Sequence, residues 1–222
     1  MAGQVLIKNY DEVCIRAEEI FRCAGIQKVS SQDEALVKQC LLEAEGVFRF
    51  RVCYGVFPVQ VTGDGVEFGF AKATSKDLAK CLENCDRAIV FCATIGLDID
   101  RLIAKYGVIS PAKALAFQAI GSERIESLCE RFCDEMGKEY GDLTPRFSPG
   151  YGDLDLAFQS AIFGVLDCSK SIGVTLTDAL LMTPSKSVTA IMGISNTPCG
   201  QEKSGCKGCN KMDCEFRREQ WK

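Results

Sequence analysis

The spacing of apolar residues divides the chain into helical and strand-like segments. Apolar side chains that recur every three to four residues indicate amphipathic helices, whereas alternating or short continuous apolar runs indicate strands. On this pattern, helices are predicted over residues 10–24, 31–47, 74–85, 99–106, 110–140 and 155–167. Strands are predicted over residues 52–61, 66–70, 88–94, 174–181 and 188–194. This mixed order favours the α+β class, a single domain with a twisted antiparallel or mixed sheet flanked by helices.

Turn and capping residues support several of these boundaries. Residues 31–34, Ser-Gln-Asp-Glu, have the sequence of a capping box. Ser110 followed by Pro111 is a strong helix start, because proline is preorganised for the first helical position. The Thr-Gly-Asp-Gly turn at residues 62–65 joins two strand-like runs and predicts a β-hairpin. The N-terminal part, residues 1–50, is predicted to be helical up to the first of these strands.

The predicted helix over residues 110–140 is long enough to be the spine of the domain. Its apolar stripe comprises Leu115, Ala119, Ile125, Leu128, Phe132 and Met136. Gly121 and Ser122 interrupt its middle, where glycine costs roughly 1 kcal/mol relative to alanine. Either helices pack closely there, or a ligand or another backbone approaches. Glu126 lies at the margin of the apolar face and by default would be solvated.

Composition and charge exclude several classes of function. With 222 residues, of which 47% are hydrophobic and 25% charged, the chain can form one large soluble domain. A net charge of −4 gives no general attraction to nucleic acid or to anionic membranes. No apolar run approaches the roughly 20 residues needed to cross a bilayer. Residues 1–4 show no start of a signal peptide, so a cytoplasmic protein is predicted.

The cysteine and histidine contents are both unusual. The chain has 14 cysteines and no histidine. Without histidine, Ser-His and Cys-His hydrolases are excluded, and any soft-metal site must be built mainly from thiolates. Disulfides are a poor explanation for so many cysteines in a cytosolic protein.

Residues 199–222 form a cysteine-rich tail, separate from a main domain of residues 1–198. The tail thiols are Cys199, Cys206, Cys209 and Cys214, with little apolar material around them. Four closely spaced thiolates can bind a zinc ion or an iron–sulfur cluster. A single Cys-x2-Cys pair with looser flanks favours a 4Fe–4S cluster, because zinc ribbons use two such pairs. The remaining ten cysteines, including the i, i+4 pairs 81/85 and 129/133, are predicted to be small core residues.

The segment from Arg146 to Asp153 combines residue types that seldom serve packing alone. Arg146 provides a permanent cation with a planar fork of donors. Pro149-Gly150 is a turn sequence, and Tyr151 follows directly. On these residues alone, a turn between helices with a solvated arginine is the default interpretation, and a ligand site is the alternative.

Three motifs in the second half of the chain occur in an order that points to one family. Arg146-x-Ser148-Pro149-Gly150-Tyr151 resembles the Arg-x-Ala/Ser-Pro-Gly-Tyr motif of the activation (reactivation) domain of cobalamin-dependent methionine synthase. Residues 176–188, Leu-Thr-Asp-x3-Met-Thr-Pro-x2-Ser-Val, resemble that domain's Leu-Thr-Glu-Ser-x-Ala-Met-x-Pro-x-x-Ser-Val segment. Gly121-Ser122-x3-Glu126 falls on the helix that carries the family's glutamate. The similarity spans roughly residues 80–195.

The resemblance implies a C-shaped α+β domain that binds S-adenosylmethionine. In the family, this domain docks on the cobalamin module after cobalamin oxidation, and one electron plus the methyl group of S-adenosylmethionine regenerates methylcobalamin. Carried over, Arg146 would bind the carboxylate of the ligand and Glu126 its amino end. Ser148 and Gly150 would contribute the binding turn. Tyr151, the predicted catalytic residue, would lie near the methyl donor and the corrin.

The resemblance also implies partners, because the synthase's catalytic and cobalamin-binding modules have no counterpart in this sequence. A separate methionine synthase or related corrinoid protein would hold the cobalamin, and the chain would be an accessory subunit that is not active alone. The tail would relay an electron from a donor of the flavodoxin or ferredoxin type. A zinc-stabilised scaffold that docks a corrinoid protein without S-adenosylmethionine is the competing hypothesis. A third is a regulator that binds S-adenosylmethionine and has no redox function.

Three features depart from the family pattern. Ile191-Met192 stands where the family has an aromatic residue after the Ser-Val strand. Residues 152–155, Gly-Asp-Leu-Asp, replace a Pro-Ala-Cys-Pro-type continuation. The cysteine tail has no counterpart in the family domain. A modified ligand groove is therefore expected.

Overall fold

A computed structural model describes residues 4–195 of the chain. The helices in this range are α1 Ala17–Cys23, α2 Ser31–Glu43, α3 Lys76–Cys81, α4 Asp98–Ile109, α5 Pro111–Tyr140, α6 Phe158–Leu166 and α7 Cys168–Ile172. The strands are β1 Leu6–Tyr10, β2 Phe50–Thr62, β3 Gly65–Phe68, β4 Ala71–Ala73, β5 Cys85–Thr94, β6 Thr175–Leu176, β7 Met182–Thr183 and β8 Ser187–Ser195. None of these helices combines the length and apolar character that crossing a membrane requires.

Six of the strands form one antiparallel sheet. Its order is β4-β3-β2-β5-β8, and β1 is also paired with β2. The first residues of β2 pair with β1 and its last residues with β3. Strand β5 is central, since it pairs with β2 along one edge and with β8 along the other. The short strands β6 and β7 pair only with each other.

The large sheet is covered on both faces, so the domain has two hydrophobic cores. Alternate residues of β5 point to opposite faces: Phe91 and Ala93 belong to the first core, and Val90 and Cys92 to the second. Residues of α1, α2, α4 and α5 complete the first core, and residues of α3, α6 and α7 complete the second. Burial on both faces explains why β5 reads as a continuous apolar run rather than an alternating one.

The predicted α+β class and antiparallel sheet are confirmed. Helix α5 spans Pro111–Tyr140 as predicted, and the β2–β3 hairpin is present. The predicted stripe of α5 is buried with one exception, Leu115, which is 52% exposed. Ala116 and Phe117 take the core positions of that turn instead.

The N-terminal part differs from the prediction. Leu6–Tyr10 is a strand paired with β2, and α1 covers only Ala17–Cys23 rather than residues 10–24. Between them, residues 11–16 are held against α5 by Arg124, whose guanidinium donates to the carbonyl oxygens of Val13 at 2.7 Å and Cys14 at 2.5 Å. A long-range contact therefore replaces the first turns of the predicted helix.

The Arg124 guanidinium is itself part of a buried charge network. Its side chain pairs with Glu123 at 2.5 Å, and both residues are nearly inaccessible, at 2% and 1% exposed. Glu123 also accepts hydrogen bonds from the Ser127 hydroxyl at 2.6 Å and from the backbone N–H of Arg16 at 3.1 Å. Buried charges of this kind are tolerated only when they are paired and hydrogen-bonded.

Several smaller boundaries also differ from the prediction. The N-cap of α2 is Ser30 with Asp33 as its capping-box partner, one residue before the predicted Ser31. Helix α3 begins after Ser75, whose side chain caps it, and ends at Cys81 rather than at residue 85. In the predicted strand 174–181, only Thr175–Leu176 pairs with another strand, and most of the remaining residues form a turn. Strand β4 and helix α7 were not predicted.

Candidate functional site

Arg146 and Glu126, which are 20 positions apart in sequence, form an ion pair. The Arg146 Nη2 atom donates to the Glu126 carboxylate at 2.9 Å, and the two side chains are 26% and 43% exposed. Glu126 is therefore not simply a solvated residue at the edge of α5. The pair is open to solvent on one side, so a ligand can reach both charges.

Two thiols of α5 lie beneath the guanidinium of Arg146. Burial raises the pKa of Cys133 to about 11, although the charge of Arg146 opposes the shift. Burial likewise raises the pKa of Cys129, which is completely inaccessible. Both thiols are therefore neutral at pH 7. Burial also disfavours the charge of Arg146, but its interaction with the Glu126 carboxylate opposes this effect and favours the charged guanidinium.

The segment that carries Arg146 is fixed to the edge of the large sheet. The backbone N–H of Phe147 donates to the Ile191 carbonyl at 2.9 Å, and the N–H of Ile191 donates back at 2.8 Å. The N–H of Thr144 donates to the Gly193 carbonyl at 2.9 Å. The side chain of Arg146 therefore extends from a backbone segment that is hydrogen-bonded to β8, and not from a free loop.

Ser148, Gly150 and Tyr151 lie on the tight turn that follows Arg146. The N–H of Tyr151 donates to the Ser148 carbonyl at 3.1 Å, and Gly150 has a φ of +88°, which favours glycine. The Gly150 N–H donates to the Leu154 carbonyl at 2.9 Å and closes the turn. Tyr151 is 69% exposed, so its ring is available to a ligand or to a docked partner. We call Arg146, Glu126 and this turn the Arg146 site.

The residues after Tyr151, which depart from the family pattern, attach this turn to α3. The carboxylate of Asp153 accepts hydrogen bonds from the hydroxyl of Ser75 and from the backbone N–H groups of Lys76 at 2.8 Å and Asp77 at 3.2 Å. The hydrogen bond from Ser75, followed by that from Lys76, lowers the pKa of Asp153. The altered continuation therefore has a structural role at the start of a helix.

The mid-helix glycine of α5 is explained by a lysine that crosses it. A Cβ atom at Gly121 would lie 3.0 Å from Cε and 3.1 Å from Cγ of Lys186. The Lys186 ammonium donates to the Ser122 hydroxyl at 3.0 Å. The neighbour at Gly121 is thus a side chain on the β7–β8 connection, and not a packed helix or another backbone as expected. Sequence reasoning missed Lys186, because its partner lies 64 positions away and no local pattern marks the contact.

Met192 does not line the Arg146 site. It is 1% exposed and packs in the first core, while its neighbour Ile191 is fully buried in the second. Ile191 and Met192 therefore serve core packing, and the expected modification of the ligand groove stays a prediction.

Most of the cysteines predicted to be core residues are buried. These are Cys40, Cys53, Cys85, Cys92, Cys129 and Cys168. Cys14 is exposed, which corrects its prediction, because residues 11–16 lie on the surface of α5 rather than in a helix. Between residues 4 and 195, no group of three or more Cys, Asp or Glu side chains is arranged to hold a metal ion. The predicted metal ligands Cys199, Cys206, Cys209 and Cys214 lie outside the described residues.

A cavity of about 650 Å³ lies on a different face of α5 and contains none of the predicted site residues. It is lined by residues of the N-terminal segment and of α5, among them Tyr10, Arg16 and Glu130. Its charges are largely neutralised within the protein, since Arg16 pairs with Glu130 at 2.5 Å and Lys8 with Glu135 at 2.6 Å. The Arg16–Glu130 pair is as exposed as the Arg146–Glu126 pair, so exposure does not separate the two sites. We favour the Arg146 site because it brings together residues that the sequence motifs single out, and its ion pair is followed by an exposed tyrosine on a tight turn.

The fold and the Arg146 site define an α+β domain that presents an accessible charge pair beside an exposed tyrosine turn. Among solved structures, the chain is similar to the MetH reactivation domain bound to AdoHcy, with a TM-score of 0.65 and 15% sequence identity. The match covers 90% of this chain and 81% of that chain. No protein-family model and no curated protein matches the sequence. The chain therefore has the fold that the three motifs predicted.

Proposed function

We propose that this chain binds S-adenosylmethionine and is an activation subunit for a cobalamin-dependent methionine synthase or a related corrinoid methyltransferase. The observation that carries the proposal is the Arg146–Glu126 ion pair at 2.9 Å, on the fold of a reactivation domain that binds AdoHcy. The pairing is independent of the fold comparison, because it depends on two side chains of this chain.

The ion pair is complementary to the amino-acid end of the proposed ligand. That end has a carboxylate, which fits the planar fork of Arg146, and an ammonium group, which fits the carboxylate of Glu126. Inserting the zwitterion would replace one ion pair by two. Because both side chains are already ordered against each other, little side-chain entropy remains to be lost on binding.

The methyl transfer itself needs few catalytic groups from the protein. A sulfonium methyl group is already activated, so no general base is needed, and the absence of histidine is compatible with this chemistry. The carbon–sulfur bond of the ligand would break, the methyl group would pass to the partner's cobalamin after a one-electron reduction from its oxidised cob(II) form, and AdoHcy would remain. The task of this chain is to hold the methyl group at that partner, which is catalysis by proximity. Tyr151 is exposed on the turn that follows Arg146 and is the residue that we assign to the partner-facing side.

The electron for this reaction is assigned to the cysteine tail. We propose that Cys199, Cys206, Cys209 and Cys214 bind a 4Fe–4S cluster that accepts an electron from a flavodoxin- or ferredoxin-type donor. Anaerobic purification followed by iron, sulfide and zinc determination tests this assignment. We expect iron and sulfide in equal amounts and an absorption band at about 400 nm. Stoichiometric zinc without iron would support a structural tail instead.

Ligand binding is tested by calorimetric titration of the full chain with S-adenosylmethionine and AdoHcy. We expect both to bind the wild type, and Arg146→Ala to weaken binding at least about tenfold, the usual loss for a charge-assisted hydrogen bond. Arg101→Ala is a matched control, because Arg101 forms a comparable ion pair with Asp98 at 2.7 Å on exposed α4. Absence of binding to the wild type, or equal affinity in Arg146→Ala, would refute the proposal.

A further inference from the structure

Lys186 lies one helical turn from the Arg146 site and occupies an unspecified position of the 176–188 motif, where the resemblance assigns no role to the side chain. Its ammonium group contacts Ser122, and Ser122 precedes Glu126 by one turn of α5. Four residues of helix correspond to about 6 Å along the axis. Lys186 and the Arg146–Glu126 pair therefore occupy neighbouring positions on one face of α5.

The position of Lys186 is fixed by the residues on either side of it. Ser185 is bound to Asp100 through its backbone N–H at 2.8 Å and its hydroxyl at 2.6 Å. Ser187 contacts the hydroxyl of Thr94 at 2.9 Å. With both neighbours anchored, the stem of Lys186 has to cross the backbone of α5, and Gly121 leaves the space for it. The side chain of Lys186 is thus held over α5 by its anchored neighbours and by the space at Gly121.

The ammonium group of Lys186 has more N–H donors than the contact with Ser122 uses. A lysine has three N–H donors, and here one of them is directed to Ser122. The hydroxyl proton of Ser122 is directed to the Gln118 carbonyl at 3.0 Å, so the oxygen is free to accept. Within residues 4–195, no carboxylate lies within ion-pair distance of Lys186. Burial lowers the pKa of its amine, and the more distant charge of Asp100 opposes that shift only in part. A half-buried cation with unused donors favours a ligand that brings acceptor atoms.

A ligand anchored at Arg146 and Glu126 can extend along α5 in two directions. Toward the C-terminus, the guanidinium of Arg146 lies against Cys129 and Cys133, and Cys129 is completely buried. Toward the N-terminus, Ser122 and Lys186 are only partly buried. Cys133 is also only partly buried, but it offers a neutral thiol, whereas Ser122 and Lys186 offer polar hydrogen-bonding groups. The polar direction therefore leads from the ion pair to Lys186.

We propose that Lys186 is a further ligand-binding residue of the Arg146 site, which donates hydrogen bonds to acceptor atoms of the nucleoside part of the ligand. This inference rests on the proposed function, since the amino-acid end must lie at Arg146 and Glu126. Ribose hydroxyls and adenine ring nitrogens are acceptors that match the unused N–H donors. Lys186 then determines specificity for the nucleoside, whereas Arg146 determines specificity for the amino acid.

The two roles are separated by a pair of probes. AdoHcy has both the nucleoside and the amino-acid group, whereas 5′-methylthioadenosine has only the nucleoside. In calorimetric titrations of the full chain, we expect Lys186→Met to weaken both probes roughly tenfold, because it keeps the apolar stem and removes the donors. Arg146→Ala is expected to weaken AdoHcy alone. Lys170→Met, at an exposed lysine of α7, is the control and should change neither affinity.

The outcomes distinguish this inference from the function on which it rests. If the wild type binds neither probe, the proposed function and the role of Lys186 both fail. If the wild type binds AdoHcy and Lys186→Met binds it equally well, the role of Lys186 is overturned and the proposed function stands. Urea unfolding of each variant verifies that it is folded, and Lys186→Gln, which keeps an amide donor on a shorter stem, should show an intermediate loss of affinity.

Discussion

Replacing Gly121 by alanine tests the packing of Lys186 over α5. In an open helix position this change stabilises a protein by about 1 kcal/mol, because alanine is the better helix former. At Gly121 the new Cβ would lie 3.0, 3.1 and 3.3 Å from three stem carbons of Lys186, closer than the roughly 3.5–4.0 Å of an ordinary carbon–carbon contact. The stem must therefore move by a few tenths of an ångström or more.

The cost of that movement offsets the gain in helix propensity. Because Ser185 and Ser187 are anchored, the backbone cannot move away, and the stem has to rotate. Rotation gives up the hydrogen bond from the ammonium group to Ser122, which contributes about 1 kcal/mol when discounted for partial exposure. Gly121→Ala should therefore leave the free energy of unfolding nearly unchanged in the wild type. In a Lys186→Ala background, the same change should stabilise by about 1 kcal/mol.

Urea unfolding of the four proteins of this cycle gives the coupling energy directly. We expect a coupling of about 1 kcal/mol between the two positions. Gly137→Ala, in the same helix, is the matched control, because nothing lies within 4 Å of its added Cβ. That control should stabilise both backgrounds equally. Equal stabilisation of both backgrounds by Gly121→Ala would show that Lys186 does not depend on the space at Gly121.

Further predictions concern the anchors on either side of the site. The lowered pKa of Asp153 means that its contribution to stability is present above the ordinary pKa of 3.8 and is lost as the pH falls through the pKa of the folded state. The urea midpoints of wild type and Asp153→Asn should therefore converge in acid. A constant difference between them from pH 7 to pH 3 would contradict this. Arg124→Met removes the closer of the two cations of the buried Glu123 and leaves only Arg16, at 3.6 Å. It should destabilise by about 3 kcal/mol in urea, and adding Glu123→Gln should recover part of the loss. Ser30→Ala removes the cap of α2 and should cost about 1 kcal/mol by the same assay; no change would mean that the first turn of α2 is frayed.

The elements predicted best were those whose apolar period is set by burial over many residues. Helix α5 and strand β5 each present a long, uniform pattern, since both are buried against large parts of the domain. Residues 11–16 could not be predicted, because their conformation depends on Arg124, which is about 110 positions away. The two-residue strands β6 and β7 are too short to leave a period in the sequence.

In the candidate site too, residues within a local pattern were predicted, whereas a residue that depends on a long-range contact was missed. Arg146, Ser148, Gly150 and Tyr151 were found through a local motif, because a tight turn fixes its residues at short spacing. Their partner Glu126 was found through the same resemblance, and the structure brings it to Arg146. Lys186 had no local signal.

The pairing of β5 with β8 has a consequence for how the chain is synthesised. The paired residues are separated by 93 positions at Thr94↔Ser187 and by 110 at Cys85↔Ser195. On the ribosome, β5 and β2 emerge long before β8, so one edge of a largely apolar central strand stays open while a further 93 residues are translated. An exposed edge of this kind is a template for pairing with other chains. During this interval, nascent chains are therefore expected to depend on chaperones or on slow, dilute synthesis to avoid aggregation.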